Sequence, residues 1–427
     1  MPPADTGASA VTRPDAASAT ASATALRPGG PGYRRANAAL FAAGLATFAL
    51  LYSTQALLPA LSAGLSLTPA QSSLTVSATT AALALALLPV SALSEKYGRT
   101  AVMTASVFSA SALALVIPFA PDLTTLVVLR AVQGVALAGL PATAMAYLAE
   151  EIHPKAVASA IGLYVAGNSI GGMSSRVLTG AVAQAFGWRT ALFAAGAMAL
   201  LCAAAFRVLI PPARNFRPGP VNPAALLRTV GHHLRTPLLR RLYVIGLLFM
   251  AVFGAVYNVL GYRLGEAPFG LSQTAIGLIF LVYLVGTAAS AASGVLHGRI
   301  GRRGALYVAA GLVTTGLLLS LAGSLAAVLT GLVLITAGFF TGHAIASGAV
   351  SRTATTGRAQ ASALYLTAYY IGNSLGGTLG ASAFHSAGWD GTVVLCLAAV
   401  LGVAAITLHA TRRAVAEHRG RALRTAG

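Results

Sequence analysis

Acidic residues and cysteines are scarce in this chain. Only nine of its 427 residues are Asp or Glu, and only two are Cys. The nine acids, Asp5, Asp15, Glu95, Asp122, Glu150, Glu151, Glu266, Asp390 and Glu417, all fall in expected tails, loops or helix ends. They offer no paired carboxylates for acid–base catalysis and, with the histidines and cysteines, no nucleophile or metal set. Cys202 and Cys396 lie in separate apolar runs, so there is no disulfide framework and the redox compartment is left open. No G-x-x-x-x-G-K-[ST] stretch is present, which leaves ATP-driven work without an engine. The first 35 residues contain no apolar run that would form a signal-peptide core.

Apolar residues are abundant: 56% of the chain is hydrophobic, 9% is charged, and the mean hydropathy is +0.77. This composition predicts an all-α integral membrane protein. Apolar segments of spanning length lie at 36–61, 72–93, 100–119, 123–149, 158–186 and 190–209, and again at 241–262, 273–296, 304–322, 325–350, 360–387 and 391–410. The expected organisation is a disordered tail (1–35), a six-helix half (36–209), a linker (210–240), a second six-helix half (241–410) and a second tail (411–427). The linker holds Pro211, Pro212, Pro218, Pro220 and Pro223 followed by a basic stretch, to be read as a membrane-surface helix or a solvated connection.

One stretch occurs twice. Tyr164 to Gly172 reads Y-V-A-G-N-S-I-G-G, and Tyr369 to Gly377 reads Y-Y-I-G-N-S-L-G-G, 205 positions later. Gly167, Gly171 and Gly172, and likewise Gly372, Gly376 and Gly377, share a helix flank where another helix can approach at backbone distance. Asn168 and Asn373 set an amide beside each flank. Tyr52 and Tyr257, and Phe48 and Phe253, repeat at the same separation, so the halves are parallel repeats.

The net charge of +19 is distributed by topology. With the N-terminus cytoplasmic, 24 of the 28 Lys and Arg fall in inner segments and only Arg189 and Arg263 fall outside. Both termini are then expected inside a cell (inner or plasma) membrane. The asymmetry removes nucleic acid as a partner and leaves the bilayer with its anionic headgroups.

The connection Ser91 to Thr100, S-A-L-S-E-K-Y-G-R-T, resembles the loop between helices 2 and 3 of the major facilitator superfamily, G-x-L-a-D-r-x-G-r-r/k. Glu95, Lys96, Gly98 and Arg99 carry the likeness. The second half repeats it as G-V-L-H-G-R-I-G-R-R, ending on Arg302 and Arg303, with Gly298 at the acidic place. The resemblance implies a conformational latch at these residues; a charged turn obeying the positive-inside pattern is the simpler reading. L-R-A-V-Q-G at Leu129 to Gly134 is similar to the family's R-x-x-Q-G. The stretch around Gly167 is similar to its antiporter signature, with Asn168 in place of proline. Together with L-Y-S-T-Q-A-L-L-P at Leu51 to Pro59, the pattern looks most like the arabinose-efflux-permease or drug-efflux-like branch. It implies twelve transmembrane helices and secondary transport by alternating access, without enzymatic activity, cofactor or metal.

Candidates for substrate binding or coupling are the polar residues expected at depth. Arg130 lies about 12 Å along its helix from Asp122. It and Arg176 either face a cavity or snorkel outward. Tyr52, Gln55, Gln133, Tyr257, Asn258, Tyr365 and Tyr369 join Asn168 and Asn373 as cavity candidates, the tyrosines being interfacial anchors otherwise. His343 is the intramembrane histidine, either packed and hydrogen-bonded or a proton ligand. Two arginines and no carboxylate at depth favour a small neutral or anionic organic substrate, with protons as the candidate coupling ion and a monomer as the working unit. The expected function is efflux, with import, facilitated passage or a non-transporting sensor as alternatives.

Overall fold

A chain this apolar must satisfy its backbone polar groups within itself, and helices do so segment by segment. The computed structural model describes residues 25–216, 218 and 223–425, with side chains as far as residue 409. Among the described residues nine helices are long and apolar enough to cross a membrane. They are α1 (Pro31–Leu65), α2 (Pro69–Tyr97), α3 (Arg99–Phe119), α4 (Leu123–Glu151) and α5 (Pro154–Leu209). After the short α6 (Pro223–Arg235) come α7 (Pro237–Gly265), α8 (Gln273–Leu319), α9 (Leu325–Thr353) and α10 (Arg358–Thr425). The fold is an all-α, multi-pass membrane bundle.

Three of the long helices each run through two of the expected apolar segments and are broken where those meet. The breaks fall at Gly187 in α5, Gly301 in α8 and Ala387–Gly388 in α10. We call the arms α5a (154–186) and α5b (188–209), α8a (273–300) and α8b (302–319), and α10a (358–386) and α10b (389–425). Gly98, between α2 and α3, has φ 94°, and Gly301, at the corresponding place in the repeated motif, has φ 70°. Left-handed backbone of this kind is what glycine supplies at little cost, and both copies of the motif use it to turn one helix into the next.

Local signals set the helix starts. Thr68 and Gln71 form a reciprocal capping box with Pro69 at the first helical position of α2. Asp122 accepts the Thr125 N–H at 2.8 Å to open α4, and Ser272 accepts that of Ala275 at 3.2 Å to open α8.

The repeated glycines seat one helix against another. A Cβ at Gly171 would fall on the carbonyl oxygen of Leu45, and one at Gly376 on that of Ala251; Gly167 and Gly372 stand the same way to Phe41 and Leu247. Helices α1 and α5a therefore meet at backbone distance, and α7 and α10a do the same. The last glycine of each copy does something else. A side chain at Gly172 would press on Arg176, and one at Gly377 on the Asn258 amide.

The termini and linker differ from expectation. Residues 1–24 of the expected tail lie outside the described residues, but its end is ordered: the Leu26 N–H donates to Glu151 O at 2.8 Å, Leu26 O accepts from the His153 N–H at 3.1 Å, and α1 starts at Pro31 rather than at 36. The Glu151 carbonyl and the His153 N–H, on either side of Ile152, lie where α4 ends, and Leu26 pairs with both. In the linker, Asn215 bonds Glu151 through its backbone N–H at 2.8 Å and its amide at 3.3 Å. His233 of α6 is buried, with Nε2 3.1 Å from Gly357 O. The 210–240 segment thus packs against the bundle at both ends, and α7 begins at Pro237 instead of 241. The 411–427 tail is also not a separate element, since its backbone continues α10 to Thr425.

Candidate functional site

Helix α1 is interrupted near its middle. After Leu51 the chain leaves α-geometry and passes through a 3₁₀ turn at Gln55–Leu57 before helix resumes at Leu58. Such a break leaves carbonyls without intrahelical donors in an environment with no water to serve them. Arg130 of α4, 1% exposed, fills that need. Its Nη1 donates to Leu50 O at 2.9 Å, Nη2 to Leu51 O at 2.9 Å, and Nε to Thr75 O of α2 at 3.0 Å. Nη1 also reaches the Gln133 Oε1 at 2.5 Å, while Gln133 Nε2 donates to Ala110 O at 2.9 Å. A Cβ at Gly134 would strike Thr79 O, so α4 lies directly on α2 there. The three residues of R-x-x-Q-G have one task, which is to cap and clamp the broken helix. Arg130 neither snorkels nor faces a cavity.

Arg176 of α5a is also 1% exposed but has different surroundings. Its Nε and Nη2 donate to Gln55 Oε1 at 2.9 and 2.5 Å, and Nη1 donates to Gly172 O at 2.5 Å. Its guanidinium lies 4.4 Å from the ring centroid of Tyr52, 4.8 Å from that of Phe280 and 5.0 Å from that of Tyr283. Gln55 passes the connection on: its Nε2 donates to Asn258 Oδ1 at 2.7 Å, Asn258 Nδ2 to Ser73 Oγ at 2.8 Å, and Ser73 Oγ to Gly377 O at 3.0 Å. This chain of bonds ties residues 31–209 to residues 237–409. Nearby, Tyr262 Oη is 2.6 Å from both Ser62 Oγ and Ser72 Oγ, and donates to Leu58 O at 2.8 Å. Gln184 Oε1 accepts the Gln273 N–H at 2.9 Å, and Gln273 Nε2 donates to Ala56 O.

These links lie toward the bundle end that carries the 66–68 and 266–272 connections. Toward the opposite end, near Gly98 and Gly301, Gly162, Gly294 and Gly298 have open space where a Cβ would be. The hydrogen bonds that join the two parts are gathered toward one end of the bundle.

A second group lies in the C-terminal part. Phe253 stacks on Phe339 at 4.0 Å, with Tyr257 and Tyr283 at 4.5 and 5.3 Å from Phe253. Phe339 lies nearly parallel to His343 at 6.1 Å. The His343 Nδ1 is 3.0 Å from Tyr365 Oη, and its ring is 4.8 Å from Tyr369. Tyr257 is not an interfacial anchor: it is 1% exposed with its hydroxyl 2.6 Å from Thr336 Oγ1. Tyr365 is equally buried, whereas His343 and Tyr369 retain some exposed surface deep in the bundle. Asn168 and Asn373 stand beside Gly44 and Gly254, and the Asn168 Oδ1 and both Asn373 amide atoms are buried without a partner among the described residues.

The sequence candidates therefore divide. Tyr52, Gln55, Arg176 and Asn258 converge on one network; Tyr257, His343, Tyr365 and Tyr369 converge on the aromatic group; Arg130 and Gln133 stand apart as a clamp. Ser73, Phe253, Phe280, Tyr283, Phe339 and Phe340 were not among the candidates. The F-F-T-G-H run is a signal for the two phenylalanines beside His343, but Ser73 is hidden in a helix rich in Ser and Thr.

At the opposite end, beside Gly98, the carboxylate that meets Arg99 is Glu150, not Glu95. Arg99 Nη2 is 2.9 Å from Glu150 Oε1, and Nη1 donates to Ser94 Oγ at 2.5 Å. Glu95 follows Ser94 by about 100° of helix rotation, so when Ser94 faces Arg99 its neighbour does not. Lys96 lies over the Tyr97 ring at 5.2 Å. The Arg99–Glu150 pair is 12% and 28% exposed, which limits it to about 1 kcal/mol after solvent screening. Glu150→Gln is accordingly expected to shift the balance between open and closed forms by roughly fivefold or less, and Glu95→Gln by less than that. Flux together with maleimide accessibility of cysteines near Gly98 measures both; a larger effect from Glu95→Gln would contradict this pairing.

The chain belongs to the Major Facilitator Superfamily, whose family model matches residues 40–377. This is a family of membrane transporters and not of enzymes. The chain is similar to the inner membrane transport protein YnfM of Escherichia coli (strain K12), at 39% identity over 366 residues, covering 86% of this chain and 88% of that one. It is likewise 39% identical over 381 residues to the uncharacterized MFS-type transporter YybF of Bacillus subtilis (strain 168), covering 88% and 94%. In structure it resembles a bacterial homologue of the human lysosomal transporter Spinster in an inward-facing, unoccupied conformation, with TM-score 0.73, 17% identity and coverage of 90% and 97%.

Proposed function

We propose that the protein is a secondary transporter that carries a small neutral or anionic organic compound across a cell membrane by alternating access, working as a monomer. In this reading the nine long helices count as twelve spans, six in residues 31–209 and six in residues 237–409, because the three broken helices each cross twice. The observation that carries the proposal is the Arg176–Gln55–Asn258–Ser73–Gly377 chain, which joins the two parts at one end of the bundle beside the close Gly180–Gly277 contact. A closure of a few hydrogen bonds, of which only those from Arg176 are charge-assisted, is worth only a few kcal/mol, so it can be undone and remade in each cycle. The Lys and Arg asymmetry supports assigning the opposite end to the cytoplasm, which makes this the inward-open form. The efflux reading rests on motif likeness to an efflux-like branch. Import and facilitated passage use the same architecture, and the relatives' names support them no less, so direction enters only as the sign of the driving gradient. His343 is the residue proposed to carry a coupling proton.

Purified protein in proteoliposomes is expected to give saturable flux of an organic solute. Retained ligand binding with no flux would favour a sensor instead. Reporter fusions after Arg217 and after Arg424 are expected to read as cytoplasmic; an external reading at either place would reverse the orientation.

A further inference from the structure

We infer that the compound carried is a small aromatic carboxylate, its carboxylate held by Arg176 and the Tyr283 hydroxyl and its ring against the Phe253–Phe339–His343 stack. This deepens the transport reading above and rests on it.

The charge requirement comes from Arg176. No carboxylate lies within ion-pair distance of it among the described residues, where Arg99 and Glu150 at the far end form the only such pair. Three of its five N–H groups are engaged, by Gln55 and Gly172, and two remain. The rings of Tyr52, Phe280 and Tyr283 moderate the buried charge without neutralising it. Arg130 differs, since it spends its donors on backbone carbonyls and Gln133. A second donor stands beside Arg176. Tyr283 is 9% exposed, and its hydroxyl is buried with no hydrogen-bond partner among the described residues. A buried hydroxyl left unpaired next to an unneutralised guanidinium is a donor set awaiting an acceptor anion.

The ring requirement comes from what surrounds that donor set. From Tyr283 the aromatic surface continues through Phe253 and Phe339 to His343, with Phe253, Phe339 and His343 in near-parallel succession at 4.0 and 6.1 Å. Phe340, His343 and Tyr369 are only half-buried, so part of this surface borders open space. Other solutes fit less well. A sugar needs free amides and hydroxyls beside it, yet Gln55 and Asn258 are bonded to each other, Gln133 to Arg130 and Ala110, Tyr257 to Thr336, and Tyr365 to His343, while the unpaired Asn168 and Asn373 amides stand at the Gly44 and Gly254 helix seams. A cation meets Arg176 with no counter-charge.

The test is binding and proteoliposome uptake with the full-length chain, using benzoate, cyclohexanecarboxylate, benzamide, benzylamine and arabinose as probes. Benzoate is expected to bind best, with benzamide and benzylamine about tenfold or more weaker for want of the anion, and cyclohexanecarboxylate weaker by several-fold for want of the flat ring. Tyr283→Phe keeps the ring and removes the donor, and is expected to weaken benzoate about tenfold while leaving thermal stability near that of the wild type. Phe339→Leu is expected to narrow the gap between benzoate and cyclohexanecarboxylate. Equal or tighter binding of benzylamine or arabinose, no binding of benzoate, or unchanged benzoate affinity in Tyr283→Phe would each overturn the inference. Arabinose uptake without benzoate binding would leave the transport reading standing and remove this one; benzoate binding that depends on Tyr283, with no uptake of any probe, would leave the carboxylate site standing and count against transport.

Discussion

Arg130→Ala is expected to lower the stability of the folded protein by about 3 kcal/mol and to reduce the yield of inserted, monodisperse protein more than any other single charge removal. The Leu51 carbonyl would lose its donor at a buried helix break, the Leu50 and Thr75 carbonyls would keep only their local bonds from Ser53 and Thr79, and Gln133 Oε1 would lose a donor as well. A buried acceptor left unpaired costs about 1–3 kcal/mol, and removing one partner of a buried charged network is expensive even where the intact network contributes little net. Membrane hydrogen bonds often measure well below their expected worth, because neighbouring groups find other partners. Here the carbonyls sit on two helices, α1 and α2, and α4 is held directly against α2 at Gly134, which limits such rearrangement. Arg130→Lys should recover only part of the loss, since one ammonium cannot span all of these carbonyls in fork geometry. Thermal unfolding in detergent checks both variants. A loss under about 1 kcal/mol for Arg130→Ala would show that the clamp is dispensable.

Asn258→Leu is expected to have the largest effect on the conformational equilibrium. It removes the acceptor for Gln55 and the donor to Ser73, the two middle bonds of the closure, and leaves Gln55 Nε2 without its partner. At roughly 1 kcal/mol net for each bond, the closed end should open between tenfold and a hundredfold more often. With Cys202 and Cys396 replaced by Ala, a single cysteine at Ser62, beside Tyr262 in the closure, reports this directly. Its labelling by an impermeant maleimide from the side of the 66–68 connection should rise in Asn258→Leu. Unchanged labelling would place the energetic weight of the closure elsewhere, on Tyr262 or Gln273.

Some of the site was readable from residue order because it depends on local chemistry. The duplicated G-N-S-x-G-G stretch announces two helix contacts, since only glycine flanks admit a helix at backbone distance, and those contacts are α1 with α5a and α7 with α10a. The Thr68 box and the Gly98 turn are equally local. The two buried arginines were the hard case. Each sits once in an apolar helix, and residue type and depth are the same for both, so nothing in the order of residues separates the clamp from the one beside the aromatic rings. The difference lies in what faces them: broken-helix carbonyls from residues 80 positions away in one case, and Gln55 and three rings from α1 and α8 in the other.

The sequence by itself determined that this protein lies in a membrane as a bundle of helices, that its Lys and Arg are unevenly distributed between the connections, and that it is built from a repeated unit. Those properties follow from hydropathy, from positive-inside sorting and from a repeated spacing, all of which are read along one dimension. Only the tertiary structure decided which carboxylate holds Arg99, that Arg130 serves the fold, and that Arg176 shares a network with Asn258. These are pairings between side chains 51 to 203 positions apart on separate helices. Helix rotation and axial offset select such partners, and both are set by how the helices pack and not by the order of residues in any one of them.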